Sequence, residues 1–218
     1  MTILAVCGLL REARIAAGPG VAALAGDAAT LRKKLEAAVA PDTRGIVSFG
    51  IAGGLANSLK PGDCVIASEI VANGQRFPAD EAWRARMIAC IPDAIAAPVA
   101  GLDAIVTTKA AKADLQRATG AHAADMESHI AAAFARARDL PFAALRTISD
   151  PWDAELPPLA TNALTPDGRI DPAAVLISLM KNPGQIPALM RTSRESNAAF
   201  AALLRCRRAL GLRLLGPD

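Results

Sequence analysis

Short apolar runs that alternate with amphipathic segments constrain this chain more than any other feature of its sequence. The apolar runs predict buried strands at 3–10, 45–49, 64–71, 102–107 and 141–148. Helical patterns lie between them at 30–39, 109–117 and 126–139. Because strands that alternate with helices form sheets covered by helices, we expect α/β architecture with a largely parallel sheet.

The alternation of predicted strands and helices stops after Asp150, where a proline-rich stretch begins. Five prolines between residues 150 and 172 predict a loop or lid, and a short helix is predicted at 173–180. The run Thr192-Ser193-Arg194-Glu195 matches a capping box, which predicts the start of a helix that ends near Leu210. We therefore divide the chain into a core, 1–153, and a second segment, 154–218, with a proline-rich lid and a C-terminal helical extension packed on the core.

Composition argues against several classes of protein. Hydrophobic residues make up 52% of the chain and the net charge is only +3, which is unlike a disordered protein. No apolar run approaches the ~20 residues of a membrane-spanning helix, and no basic region precedes the first strand, so we expect neither a transmembrane helix nor a signal peptide. Aromatic residues are only 3% of the chain, which disfavours nucleic-acid binding by stacking.

The four cysteines are far apart in the sequence. Their spacing fits neither a zinc site nor a small disulfide framework, so we expect no bound metal. Buried thiols in a reducing cytoplasm are the interpretation that fits this pattern.

The positive charge is concentrated near the C-terminus. Between Lys181 and Arg213 there are seven basic residues, several leucines and one acid, Glu195. A helix of this kind either docks on the core or on another subunit, or lies on an anionic membrane surface, and periodicity does not separate the two. We expect a cytoplasmic protein, with 192–215 as a candidate for peripheral contact with the inner face of the membrane.

Three segments carry residues that could bind or transform a ligand. Gly50-Ile51-Ala52-Gly53-Gly54 follows a predicted strand and is either a tight turn or a close approach of backbone to a ligand. Asp125-Met126-Glu127 begins a predicted helix, where Asp125 is a candidate cap and Glu127 either complements the helix dipole or projects into a site. Asp150 ends a predicted strand, where ligands bind in α/β sheets, but turns also favour aspartate.

Together these segments resemble, in order and spacing, the purine nucleoside phosphorylase and nucleosidase superfamily. The glycine-rich segment with 60–65, the Asp125-Met126-Glu127 ribose motif and the 141–150 strand with its terminal Ser-Asp pair carry the resemblance, which covers residues 3 to about 153. The distal segments 156–158, 166–171, 183–187 and 201–208 look like the hopanoid-associated phosphorylase branch.

The resemblance implies a three-layer α/β/α fold around a mixed, largely parallel central sheet. It also implies cleavage of the purine N-ribosidic bond of a 5′-substituted adenosine, namely adenosylhopane, with release of adenine in hopanoid lipid biosynthesis. The alternatives are a nucleosidase for soluble methylthioadenosine or S-adenosylhomocysteine, and a catalytically silent nucleoside-binding protein.

The resemblance also implies roles for individual residues. Asp150 would protonate the leaving purine, and Ser149 would orient its carboxyl group. Glu127 would hold the ribose hydroxyls while Met126 packs against the sugar. The backbone that would line the pocket belongs to Ile51, Ala52 and Gly53.

The resemblance leaves two candidates for the nucleophile, water and phosphate, because residues 8–14 after the first strand depart from the hydrolytic members. Glu12 is the candidate for activating water, whereas Arg11, Arg14 and Gly8 are candidates for binding phosphate. Two arginines beside one acid favour phosphorolysis, with a solvated loop as the alternative. We expect inorganic phosphate as co-substrate and no cofactor. The expected partner is a lipid-linked purine nucleoside, not a nucleic acid, and we expect the protein to form a homo-oligomer.

Overall fold

A computed structural model describes residues 1–156 and 186–217, and it contains a mixed α/β fold. The strands are β1 (Thr2–Cys7), β2 (Val21–Ala25), β3 (Thr43–Gly54), β4 (Cys64–Ala72), β5 (Gln75–Pro78), β6 (Ile95–Gly101), β7 (Ala123–Asp125) and β8 (Phe142–Asp150). The helices are α1 (Leu10–Ala16), α2 (Ala28–Ala38), α3 (Glu81–Cys90), α4 (Lys109–Thr119), α5 (Ser128–Arg136) and α6 (Ile186–Leu210), and a short 3-10 helix spans Leu212–Leu215.

The strands form one mixed sheet that partly closes on itself. β1 lies between β2 and β3, and both pairs are parallel. β3 then pairs in parallel with β8, β8 in antiparallel with β4, and β4 in parallel with β6. β7 completes a ring because it pairs with both β6 and the end of β3. The closure brings the ends of several strands around one space.

Helices cover both faces of the sheet. α2 and α5 pack on one face, where Leu31, Leu35 and Ile130 belong to one apolar cluster with β1 and β4. α3 and α6 pack on the other face, where Trp83 and Leu203 belong to a second cluster. The three-layer α/β/α architecture predicted from the sequence is therefore confirmed.

Capping and spacing explain why these segments become helices. Asp27 accepts a hydrogen bond from the Thr30 amide at the start of α2, and Asp80 accepts one from the Trp83 amide at the start of α3. In α2, Leu31 and Leu35 are one turn apart, so both side chains face the core.

One predicted strand differs in the structure. Residues 102–107 form a loop after β6, and their apolar side chains Leu102, Ile105 and Val106 line a cavity. The glycine run 50–54, for which a turn was one of two interpretations, is the end of β3, and its pairing with β8 continues to Gly53. Six elements were not predicted from the sequence pattern, namely β2, β5, β6, β7, α1 and α3.

The C-terminal helix begins earlier than predicted. α6 starts at Ile186, so the capping-box residues 192–195 lie within the helix rather than at its start. The predicted helix at 173–180 and most of the predicted lid lie outside the described residues.

The apolar face of α6 packs on the sheet. Phe200, Leu203 and Leu210 are buried there, and Thr147 of β8 donates a hydrogen bond to the Ala199 carbonyl oxygen at 3.0 Å. The arginines at 191, 194, 205 and 208 are exposed. Of the helices within residues 1–156 and 186–217, none has the length and hydropathy required to span a membrane.

Three of the four thiols are buried, as the sequence predicts, whereas Cys90 is exposed. Cys64 of β4 and Cys206 of α6 are distant in sequence, but their thiols interact. The interaction raises the pKa of Cys64 and lowers the pKa of Cys206.

Two adjacent leucines test how α6 docks. Leu203 is fully buried and Leu204 is 38% exposed. We expect Leu203→Ala to lower the free energy of unfolding by about 2–5 kcal/mol, because it leaves a cavity in the core. Leu204→Ala should change it by less than about 0.5 kcal/mol. Urea unfolding of the two variants measures the difference, and equal losses would contradict the packing described for α6.

Candidate active site

A cavity of about 420 Å³ lies where the carboxyl ends of six strands meet. Most of its wall is formed by residues that end or directly follow β1, β2, β3, β6, β7 and β8. The volume is in the range of small-molecule sites, which is about 300–1,000 Å³. Of the predicted site residues, it brings together Gly8, Glu12, Ile51, Ala52, Gly53, Met126, Glu127, Ser149 and Asp150.

Glu12 is held at one end of the cavity by backbone amides. Its Oε2 accepts hydrogen bonds from the Gly8 and Leu9 amides at 2.9 and 2.8 Å, and its Oε1 accepts one from the Ile51 amide at 2.7 Å. The residue is 2% exposed, and burial raises the pKa of Glu12 although Arg146 and these amides oppose the rise. A raised pKa brings a carboxylate closer to the range of a useful general base.

Arg146 lies behind the acids on β8, and its side chain is completely buried. Its Nε is 2.7 Å from Asp125 Oδ2, and one terminal nitrogen is 3.5 Å from Glu127 Oε2. The same terminal nitrogen donates to the Ser48 hydroxyl at 2.5 Å. The guanidinium therefore compensates the negative charge of acids that come from separate elements.

Asp125 positions the start of α5 as well as pairing with Arg146. Its Oδ1 accepts hydrogen bonds from the Glu127 and Ser128 amides at 3.0 and 2.8 Å. The capping role predicted for Asp125 therefore has a structural counterpart, and it fixes the backbone that carries Glu127.

Glu127 faces the cavity beside Gly8. A Cβ atom on Gly8 would collide with the Glu127 carboxylate, so the absence of a side chain there makes room for the acid. Burial raises the pKa of Glu127 to about 8, opposed by Arg146 and reinforced by Asp125 and Glu12. The site thus concentrates more acids than its guanidinium neutralises.

Asp150 is fixed at the other end of the cavity. The Ser149 hydroxyl donates to Asp150 Oδ1 at 2.7 Å, in line with the orienting role predicted for Ser149. Asp150 Oδ2 lies 2.5 Å from the Nζ of Lys112, which also donates to the Pro151 carbonyl oxygen at 2.8 Å. Both partners of this ion pair are buried.

Apolar side chains form the wall between the two ends. They come from the start of α1, the loop after β6 and the chain after β8, and comprise Leu9, Leu102, Ile105, Val106 and Leu156. The Leu156 amide donates to the Thr107 carbonyl oxygen at 2.9 Å, which joins two parts of this wall. The described lining contains no aromatic ring, and Trp152 instead lies under the exposed Lys109.

Two predicted phosphate-binding residues are placed elsewhere. Arg11 is exposed on α1, donates to Asn197 at 3.3 Å and stacks over Phe200 of α6. Arg14 is also exposed, and neither arginine lines the cavity. Gly8 does line it, but its amide is already bound to Glu12. The described residues therefore do not assemble these three into an anion site.

Lys112 and Arg146 are the main site residues that the sequence motifs did not single out, although Arg146 lies within the 141–150 strand that carries the family resemblance. One signal for Lys112 was present, because it precedes Leu115 by three residues and so shares the face of α4 that turns inward. Within the described ranges, no group of three or more His, Cys, Asp or Glu side chains is arranged to hold a metal ion.

A family model described as the phosphorylase superfamily matches residues 15–169, which is more than half of the chain. The chain belongs to the phosphorylase superfamily. This confirms the superfamily resemblance seen in the sequence motifs. Comparison with curated proteins gives no significant match.

Solved structures share the superfamily fold across nearly the whole chain. Futalosine hydrolase of Helicobacter pylori strain 26695 is 15% identical, with 96% of this chain and 97% of that chain covered and a TM-score of 0.69. The 5′-methylthioadenosine/S-adenosylhomocysteine nucleosidase of Helicobacter pylori is 15% identical, with 94% and 97% covered and a TM-score of 0.64. The S-adenosylhomocysteine nucleosidase of Streptococcus pyogenes is 16% identical, with 89% and 96% covered and a TM-score of 0.62.

The raised pKa of Glu127 predicts a pH dependence of stability. In the unfolded chain a glutamate has a pKa of about 4.3. Between that pH and about 8, the folded state therefore binds one proton more than the unfolded state does. Stability from this group is therefore complete at low pH and is lost as the pH rises through about 8. As the pH rises through this range, the free energy of unfolding of the wild type should fall relative to that of the Glu127→Gln variant.

Chemical denaturation at a series of pH values measures this difference. Glu36→Gln, which changes an exposed glutamate on α2, is the control and should give a curve parallel to the wild type. Parallel curves for Glu127→Gln and the wild type would show that Glu127 does not carry the raised pKa.

Proposed function

We propose that this protein is an enzyme that cleaves the purine N-ribosidic bond of an adenosine with an apolar 5′ substituent. The observation that carries the proposal is the placement of Glu12, Glu127 and Asp150 around one cavity with an apolar wall. Superfamily membership supports the reaction class. The solved relatives are named for futalosine and for 5′-methylthioadenosine or S-adenosylhomocysteine, which supports a nucleoside substrate.

In the proposed reaction, water attacks C1′ as the bond to the purine breaks. Glu12 takes the proton of the water, and its Oε1 has capacity for this because it accepts only one amide hydrogen bond. Glu127 binds the 2′- and 3′-hydroxyls while positive charge develops on the ribose, and Met126 packs against the sugar. Asp150 directs a proton to N7 of the leaving purine, so that the base does not leave as an anion.

Water is favoured over phosphate as the nucleophile by the positions of the charged groups. Glu12 lines the cavity, whereas Arg11 and Arg14 do not. A phosphate dianion placed near Glu12 and Glu127 would lie against two acidic side chains, and Arg146, which is paired with Asp125 and Glu127, does not line the cavity. This reverses the preference for phosphorolysis drawn from the sequence.

The apolar wall supports adenosylhopane as the substrate. A 5′ substituent that leaves the ribose beside Met126 would meet Leu102, Ile105 and Leu156, and Ile105 is 40% exposed at the edge of the cavity. Burial of hydrocarbon there is favourable by about 25 cal/mol per Å². A soluble 5′-thioether such as methylthioadenosine is the second candidate, because its small apolar group also suits this wall.

Adenine release by the purified protein tests the proposal. We expect turnover of adenosylhopane or of 5′-alkylthio adenosines to exceed turnover of adenosine, and to proceed without phosphate, giving a free sugar rather than a sugar 1-phosphate. Strict dependence on phosphate would overturn the assignment of water. Binding of adenosine without release of adenine from any of these nucleosides would favour a catalytically silent binding protein.

Variants of the two acids test their roles. We expect Glu12→Gln and Asp150→Asn each to lower kcat by about 10²–10⁴-fold, because each removes proton transfer in the transition state. Glu36→Gln should retain full activity, since Glu36 is exposed on α2. Full activity in Asp150→Asn would remove Asp150 from the mechanism.

A further inference from the structure

Lys112 is a buried ammonium group that the proposed mechanism has not used. It is 1% exposed, and no other residue of α4 is buried. Burial of a lysine costs free energy unless its charge is paired, and Lys112 is paired with Asp150. The lysine also lines the cavity, so it is part of the site rather than of the apolar core.

The ion pair creates a difficulty for Asp150 as a proton donor. A carboxylate that is paired with an ammonium holds no proton of its own to give. Lys112 holds three, and its Nζ is 2.5 Å from Asp150 Oδ2. The proton that the leaving purine needs is therefore stored on the nitrogen of this pair.

We propose that Lys112 is the source of the proton that the leaving purine receives through Asp150. The proposal rests on the proposed function. As the C1′–N9 bond breaks, its electron pair passes to the purine. Asp150 Oδ2 accepts a proton from Lys112 Nζ and passes that proton to N7, so Asp150 begins and ends the step as a carboxylate. Lys112 becomes a neutral amine, Glu12 holds the proton lost by water, and solvent restores both groups after the products leave.

Two further acids lie near the ion pair. Glu195 of α6 interacts electrostatically with Asp150 and Lys112, and the exposed Asp153 also lies in this neighbourhood. Neither of these acids lines the cavity, whereas Lys112 and Asp150 both do.

Two probes separate proton supply from positioning. They are 5′-butylthioadenosine and 4-nitrophenyl 5-butylthio-β-D-ribofuranoside, which share a sugar and a 5′ group. The nitrophenolate leaves as a stable anion and needs no proton. We expect Lys112→Met to lower kcat on the adenosine probe by about 10²–10⁴-fold and to change kcat on the nitrophenyl probe only several-fold.

A second variant keeps the charge but not the exchangeable proton. Arginine does not deprotonate in proteins, so Lys112→Arg should lose activity on the adenosine probe as Lys112→Met does. Recovery of activity by arginine, or an equal loss on both probes, would overturn the proposal and leave Lys112 as a structural partner of Asp150. The nitrophenyl probe also reports whether each variant is folded.

Lys109→Met is the matched control, because Lys109 lies on the same helix but is exposed. It should retain wild-type turnover of both probes. If the wild type cleaves neither probe, the proposed function fails. If the wild type cleaves both and Lys112→Met behaves like it, only the role of Lys112 is refuted.

Discussion

Arg146 is completely buried, and a guanidinium away from water is stable only when carboxylates and hydrogen-bond acceptors surround it. Asp125 and Glu127 provide the carboxylates, and Ser48 provides a hydroxyl. Since these residues come from β3, β7, β8 and the start of α5, one charge ties the ends of separate strands together. Gly50 is part of the same arrangement, because a Cβ there would lie 2.5 Å from both Arg146 and Glu12. The glycine is required by a crowded charged centre rather than by a turn.

The charges divide the cavity into two chemically different ends. At the end near Arg146, acids outnumber the cation, and burial raises the pKa of both Glu12 and Glu127. At the other end, Asp150 is paired with Lys112 and hydrogen-bonded to Ser149. Carboxyl groups in such different surroundings can take different parts in one reaction. Under the proposed mechanism, the first end accepts a proton from water and holds the sugar, and the second end supplies a proton to the base.

The sequence predicted the parts of this arrangement that are local. The alternation of predicted strands and helices indicated the α/β class, and the residues of Asp125-Met126-Glu127 and of Ser149-Asp150 are contiguous in each motif. Residues that act through distant partners were harder to recognise, since Lys112 and Asp150 are 38 positions apart. The spacing of Lys112 from Leu115 indicates a shared helix face, but it does not identify the buried partner. The loop 102–107 was misread for a related reason: its side chains are apolar because they face a cavity, and periodicity cannot distinguish that from a strand. β7 has only three residues, too few for any periodic signal.

The location of the apolar wall bears on how a lipid-like substrate would be selected. The apolar face of α6 is already occupied by the sheet, through Phe200, Leu203 and Leu210. Contact between this helix and a membrane would therefore depend on its exposed arginines and on isolated side chains such as Leu204, not on a continuous apolar face. Under the proposed function, recognition of an apolar 5′ group is assigned to the cavity wall, where Leu102, Ile105 and Leu156 come from loops. Asp150 ends β8, Glu12 accepts a hydrogen bond from the Ile51 amide of β3, and Glu127 pairs with Arg146 of β8, so each acid is attached to the sheet. Changes in the loops would then alter the accepted 5′ group without displacing these three acids.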